Sequence, residues 1–259
     1  MEIGKIVDLN SHPISALEFQ KQCREILDEQ GVLSLTHFIY PEAMTGILDE
    51  ALRLRDQAYF CQQDHSVFLN SPDLSLPANH PLNRTVETSK GCVCDDLIAS
   101  DSSLRMLYDS EVFQGFIKSV VGHSEIFPYA DRLSSINIHY AERNQELGWH
   151  FDNSSFAITL MIQKPELGGR FEYIRDFRTS NDGQENYDGV TDLLDGKLKP
   201  EQLAIEPGTL VLFRGKNSVH RVSPNESDRT RILAVLAYNS IPDVALSESA
   251  RMTFYGRLN

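Results

Sequence analysis

His150 and Asp152 stand two residues apart in Trp149-His150-Phe151-Asp152-Asn153, and His220 follows in Ser218-Val219-His220-Arg221-Val222. Side chains on an extended strand alternate between faces, so His150 and Asp152 point the same way while Phe151 turns into packing. An imidazole and a carboxylate that converge make most of a metal site, and His220 is the third candidate ligand. Two histidines and one carboxylate on one face, with other positions open, suit non-haem Fe(II). The opposing consideration is that a histidine in a β-core is more often hydrogen-bonded than metal-bound. A lone His-x-Asp also arises easily by chance in a chain with 8 histidines. The three residues in this order, on expected strands, favour the metal.

Arg229 and Arg231 come nine and eleven residues after His220, at the start of another expected strand. A buried arginine there holds a carboxylate bidentately. Both lie on the same face by parity, so either can serve.

The elements that must position these groups are helical first and extended later. A helix is expected over 13–30, capped by Ser11 or Asn10, opened by Pro13 and stopped by Gly31. A short strand follows at 32–35. A second helix covers 41–59, with Ala43, Ile47, Leu48, Ala51 and Leu54 as its apolar stripe. Residues 61–101, with Pro72, Pro77 and Pro81, carry little pattern and read as a long functional loop. A third helix is expected over 102–121, ended by Gly122. After Pro128, strands are expected at 133–140, 156–162, 170–174, 210–213, 219–222 and 231–238. A polar excursion at 175–200 carries one helical turn near 190–194. Many short strands between turn signals indicate a barrel or jelly roll. The expected fold is mainly β with flanking helices, a jelly-roll, cupin-like core. It is read as a single domain, 1–127 supplying helical support and a lid loop, 128–259 the core and a C-terminal tail.

Composition narrows the class. With 41% hydrophobic and 24% charged residues over 259 positions, the chain can bury a large core. Its 37 acidic against 24 basic residues, a net charge of −13, speak against nucleic acid or an anionic membrane as partner. The N-terminus has no apolar signal-like run and no window reaches a membrane span, so a cytoplasmic protein is expected. Cys23, Cys61, Cys92 and Cys94 do not form two spaced pairs, and Cys92-Val93-Cys94 reads as two reduced, partly buried thiols. Oligomeric state has no signature in the sequence.

Residues 137–239 resemble the double-stranded β-helix of Fe(II)/2-oxoglutarate-dependent oxygenases. The matching motifs are Trp149-His150-Phe151-Asp152-Asn153, Pro165 with Gly168-Gly169-Arg170-Phe171, Pro207-Gly208 through Phe213 to His220-Arg221-Val222, and Arg229-Thr230-Arg231. The resemblance implies that His150, Asp152 and His220 bind iron. It implies that an arginine past the distal histidine, Arg231 before Arg229, clamps the C5 carboxylate of 2-oxoglutarate. Tyr140 joins these arginines as a cofactor-binding candidate. The implied reaction consumes 2-oxoglutarate and O2, releases succinate and hydroxylates an unactivated C–H.

A narrower resemblance, on Trp149 through Phe156 and Phe171-Glu172-Tyr173, is to the branch acting on free amino acids: the lysine halogenases and their hydroxylase relatives. In the halogenases the carboxylate-ligand position is Gly, which leaves a place for chloride. Asp152 departs from that pattern and fits the hydroxylases. The implied substrate is a free amino acid, lysine or another basic one. Matching positions are Arg84 for its carboxylate and Asp131 for an amine. Asn153 and Asn239 would line the pocket, and Phe254 would close it. Two alternatives stay open: an oxygenase of the same core acting on a peptide, nucleobase or other small metabolite, and a cupin-like metal-binding module without catalysis.

Overall fold

The computed structural model describes residues 3–259. Its first long helix, α1 (Leu17–Gln30), starts later than residue 13 because the chain turns first. Ile14 is fully buried and its carbonyl accepts a hydrogen bond from the Gln20 side chain. No side chain caps α1, so neither Ser11 nor Asn10 has that role. Gly31, at φ 71°, ends it as expected, since a left-handed residue closes a helix at least cost when it is glycine. Strand β1 (Val32–Leu35) and helix α2 (Pro41–Leu54) follow.

The stretch expected as a loop contains a hairpin instead. Strands β2 (Tyr59–Ser66) and β3 (Thr85–Val93) pair antiparallel from Tyr59↔Cys92 to Ser66↔Thr85. Both strands carry Gln, Asp, Thr, Ser or Lys where an apolar residue would mark one face, so alternation does not reveal them. The expected third helix is two: α3 (Ser103–Asp109) and α4 (Glu111–Val121). Ser110 separates them, accepting from the Phe113 N–H as the N-cap of the second.

The remainder runs β4 (Ile136–Ala141), β5 (Leu147–His150), β6 (Ala157–Gln163), β7 (Phe171–Ile174), α5 (Tyr187–Leu194), β8 (Glu201–Leu203), β9 (Leu210–Phe213), β10 (Val219–Val222), β11 (Arg231–Leu236) and α6 (Glu248–Tyr255). The strands join in the order β1-β9-β6-β11-β4-β3-β5-β10-β7-β8, with β2 beside β3 and every neighbouring pair antiparallel. β3 meets β4 at Cys92↔His139 and β5 at Thr88↔Leu147, so it carries the sheet from one half to the other. This is the expected jelly roll.

Strand parity divides the sheet's two faces. Ile136, Ile138 and Tyr140 of β4, with Ile232, Ala234 and Leu236 of β11, pack with helix residues such as Phe113 and Phe116 in the main core. The alternate residues, His139, Arg231, Leu233 and Val235, face a cavity inside the roll. Tyr140 is therefore corrected: it is fully buried on the helix side, and its hydroxyl donates to the Ala51 carbonyl at 2.7 Å. Tyr140→Phe should lower stability by about 1 kcal/mol, the net worth of one such bond, and leave 2-oxoglutarate affinity unchanged. Urea unfolding alongside a cosubstrate titration checks both halves.

All four cysteines are free thiols. Among the described residues, no helix is long and apolar enough to cross a membrane.

Candidate active site

His150 closes β5 directly opposite His220 on β10, in register, with ring centroids 4.1 Å apart. Both are buried, at 8% and 5% exposure. Each Nδ1 sits on a carbonyl two residues back, His150 on Gly148 at 2.8 Å and His220 on Ser218 at 3.0 Å. A carbonyl accepts only, so each Nδ1 carries the proton and each Nε2 presents a lone pair. This is the second contact that orients a metal-binding imidazole.

Asp152 lies just past the end of β5, its N–H donating to the Gly215 carbonyl at 3.0 Å. Its Oδ1 is 3.7 Å from His150 Nε2 and 3.5 Å from His220 Nε2. Its Oδ2 is buried without a hydrogen-bond partner. Phe151 between them is buried in a separate apolar cluster, as strand alternation requires. The ligand atoms of the three residues lie within 4.8 Å of one another. Acceptor lone pairs turned toward one buried point, with a carboxylate oxygen left unsatisfied, make a site for a cation. The donor set fits iron.

Electrostatics agree with that fit. Burial, then the neighbouring His220, push His150 down to about 3, so its imidazole is neutral at physiological pH. Burial alone would raise Asp152, but His220 and His150 outweigh it and hold the carboxyl below its usual range.

Gly215 makes room for this carboxylate, since a Cβ there would overlap Asp152 Oδ2. Gly215→Ala should push the carboxylate aside and weaken Fe(II) binding by about tenfold or more, the scale of losses around metal sites. Equilibrium dialysis of Fe(II), with circular dichroism as the fold check, measures it.

The triad opens on a cavity of about 330 Å3 that also reaches Arg231 at the start of β11. Arg231 is 5% exposed, its Nε has no partner, and burial drives the guanidinium down to about 10. Arg229 precedes the strand in a loop, exposed and outside the cavity lining. Burial separates two arginines that parity could not.

The remaining expected site residues divide. Asn153 and Phe254 line the cavity. Arg84 does not: its guanidinium is paired with Asp195 of the α5 region at 2.8 Å. Asp131 is also elsewhere, capping its own turn through Leu133 N–H and Ser134 Oγ and accepting from Leu246 N–H in the tail. Asn239 lies beyond β11 in a backbone bridge with Phe127, outside the cavity lining. Among groups not anticipated are Lys90, His139 and His65, all on the cavity wall. Thr88-x-Lys90-x-Cys92 has the strand period that brings Lys90 inward, but its surroundings conceal the strand.

Residues 16–254 match the model of a protein family described as Halogenase D. The chain belongs to that family. No curated protein matches it. Solved structures with the same fold include a 2OG-Fe(II) oxygenase family oxidoreductase from Burkholderia pseudomallei, at 15% identity and TM-score 0.53, covering 87% of this chain and 92% of that one. The non-heme alpha-ketoglutarate-dependent epimerase SnoN from nogalamycin biosynthesis gives TM-score 0.60 at 12% identity, over 86% and 81% of the two chains. A Pseudomonas putida prolyl-4-hydroxylase gives 0.51 at 11%, over 83% and 96%. At these identities the likeness is one of fold.

Proposed function

We propose that this Halogenase D family member is an Fe(II)- and 2-oxoglutarate-dependent dioxygenase that hydroxylates an unactivated C–H of a free amino acid. The observation that carries the reading is the Asp152 carboxylate, which meets the Nε2 atoms of His150 and His220 at the mouth of a cavity that also holds Arg231. His150, Asp152 and His220 would hold the iron, and Arg231 would pair with the distal carboxylate of 2-oxoglutarate. The iron, with 2-oxoglutarate and O2, would supply the oxidising power for C–H cleavage, and 2-oxoglutarate would leave as succinate and CO2, one oxygen atom going to succinate and one to the hydroxylated product. The chain's own share is orientation and exclusion of water. Leu233, Val235, Phe213 and Phe171 form apolar walls, and Phe254 from α6 lies across the cavity.

Hydroxylation is favoured over halogenation because a carboxylate takes the ligand position that glycine leaves open to halide in the halogenases. A small free substrate is favoured over a peptide by the size of the cavity, near the lower end of the roughly 300–1,000 Å3 usual for small-molecule sites. Lysine has less support than the sequence alone gave it. Among the described residues Asp152 is the sole carboxylate on the cavity wall, so a side-chain ammonium finds no free carboxylate there.

Anaerobic Fe(II) plus 2-oxoglutarate should give the visible charge-transfer band of a chelated complex. Admission of O2 with a panel of free amino acids should then give substrate-stimulated succinate and a product heavier by one oxygen atom. A band without succinate for any amino acid would move the substrate to another metabolite class. Absence of both would leave a metal-binding module.

A further inference from the structure

We propose that Lys90, flanked by His139 and Phe254, is the subsite that receives the carboxylate of the organic substrate. The inference rests on the hydroxylase reading for the reaction, and on the cavity for its place.

Val86, Thr88, Lys90 and Cys92 of β3 share one face by strand alternation. Thr88 is engaged, with its Oγ1 2.7 Å from His65 Nε2 and accepting from the Gly148 N–H at 3.0 Å. Cys92 is buried. Lys90 is left facing open cavity. Its ammonium lies 3.4 and 3.5 Å from the two ring nitrogens of His139 and 4.9 Å from the centroid of Phe254. An ammonium has three protons to donate, whereas a neutral imidazole offers one lone pair and an aromatic face a weak attraction. Among the described residues no carboxylate acts on Lys90. Burial lowers its pKa, and that of His139 well below its usual value, so a positive charge here is costly until an anion arrives.

Charge balance points to the same ligand. Among the described residues the wall carries two cations, Lys90 and Arg231, against one carboxylate, Asp152. A ferrous ion adds two positive charges and 2-oxoglutarate removes two. One positive charge remains in the cavity, and the carboxylate end of an amino acid is the end it attracts.

The position favours substrate over cosubstrate. An adjoining hollow of about 270 Å3 is lined by Lys90, His139, Asp152, Ser154 and Phe254 but does not reach Arg231. A molecule anchored at Lys90 therefore has space beside Asp152 that does not touch the arginine, although Lys90 and Arg231 also share the main cavity. Side chains such as Val235 and Ala157 line that branch, so an aliphatic body suits it.

The test uses the protein loaded anaerobically with Fe(II) and saturated with 2-oxoglutarate. Isovalerate and its uncharged amide, isovaleramide, are titrated by calorimetry into the unaltered chain, Lys90→Met and Lys90→Arg. Isovalerate should bind to the unaltered chain and isovaleramide should not. Lys90→Met should weaken isovalerate by roughly 10- to 100-fold, the scale of one hydrogen bond to a charged group. Lys90→Arg should restore most of it, and the 2-oxoglutarate charge-transfer band should titrate alike in all three. Equal binding of acid and amide, no binding of isovalerate, or an unaltered Lys90→Met would overturn the subsite. Loss of 2-oxoglutarate binding in Lys90→Met would overturn it differently, by assigning the lysine to the cosubstrate. Isovalerate held by Lys90 in a protein that oxidises no amino acid would leave the subsite standing and remove the amino-acid reading.

Discussion

Asp152→Gly should abolish hydroxylation and leave the fold intact. Even partners outside a metal's own ligand set cost about 10- to 100-fold when lost, so removing the one anionic ligand should lower Fe(II) affinity by more than about 100-fold. Two neutral imidazoles would then face the metal alone. Asp152 lies outside β5, and its backbone bond to the Gly215 carbonyl survives the substitution. The side chain removed is a half-buried carboxylate whose Oδ2 has no partner, so its loss takes little packing from the fold. The apo variant should therefore melt within a few degrees of the unaltered protein, the glycine costing about 0.5–1 kcal/mol through the unfolded chain, while forming no substrate-dependent succinate. Full hydroxylation by Asp152→Gly would take Asp152 out of the ligand set.

The triad was legible because its chemistry is local. His150-Phe151-Asp152 needs only a two-residue period and an apolar residue between, and His220 needs only a strand to bring it back. The jelly roll was legible in β4, β6, β7, β9, β10 and β11, where stretches such as Ile158 to Ile162 are apolar but for Thr159. Residues whose role depends on which face a strand turns inward were not. Tyr140 and His139 are neighbours on β4, and only the packing of helices against one face sends the tyrosine to the core and the histidine to the cavity. Lys90 stayed hidden because polar residues on an inward-facing hairpin imitate a loop. Arg84 and Asp131 illustrate the converse: charged residues in loops found local partners, Asp195 and the tail at Leu246, before any ligand was considered.

Arg231→Met should raise the 2-oxoglutarate requirement by roughly 30-fold or more, because truncating one partner of a buried charge pair costs about 2–5 kcal/mol. The guanidinium is buried, its Nε lacks a partner, and no ion pair satisfies it among the described residues. An uncompensated cation in such surroundings costs stability, and methionine keeps much of the volume without the charge. Arg231→Met should accordingly melt at or above the temperature of the unaltered chain in the absence of cosubstrate. Loss of cosubstrate affinity without loss of stability distinguishes a clamp from a structural arginine, whose removal would lower both. Arg229→Met supplies the control from the exposed loop and should leave the 2-oxoglutarate dependence within about threefold, as surface charges make small contributions. If the loop variant instead shows the larger rise, the arginine that meets the cosubstrate is Arg229, and the buried guanidinium of Arg231 serves the fold.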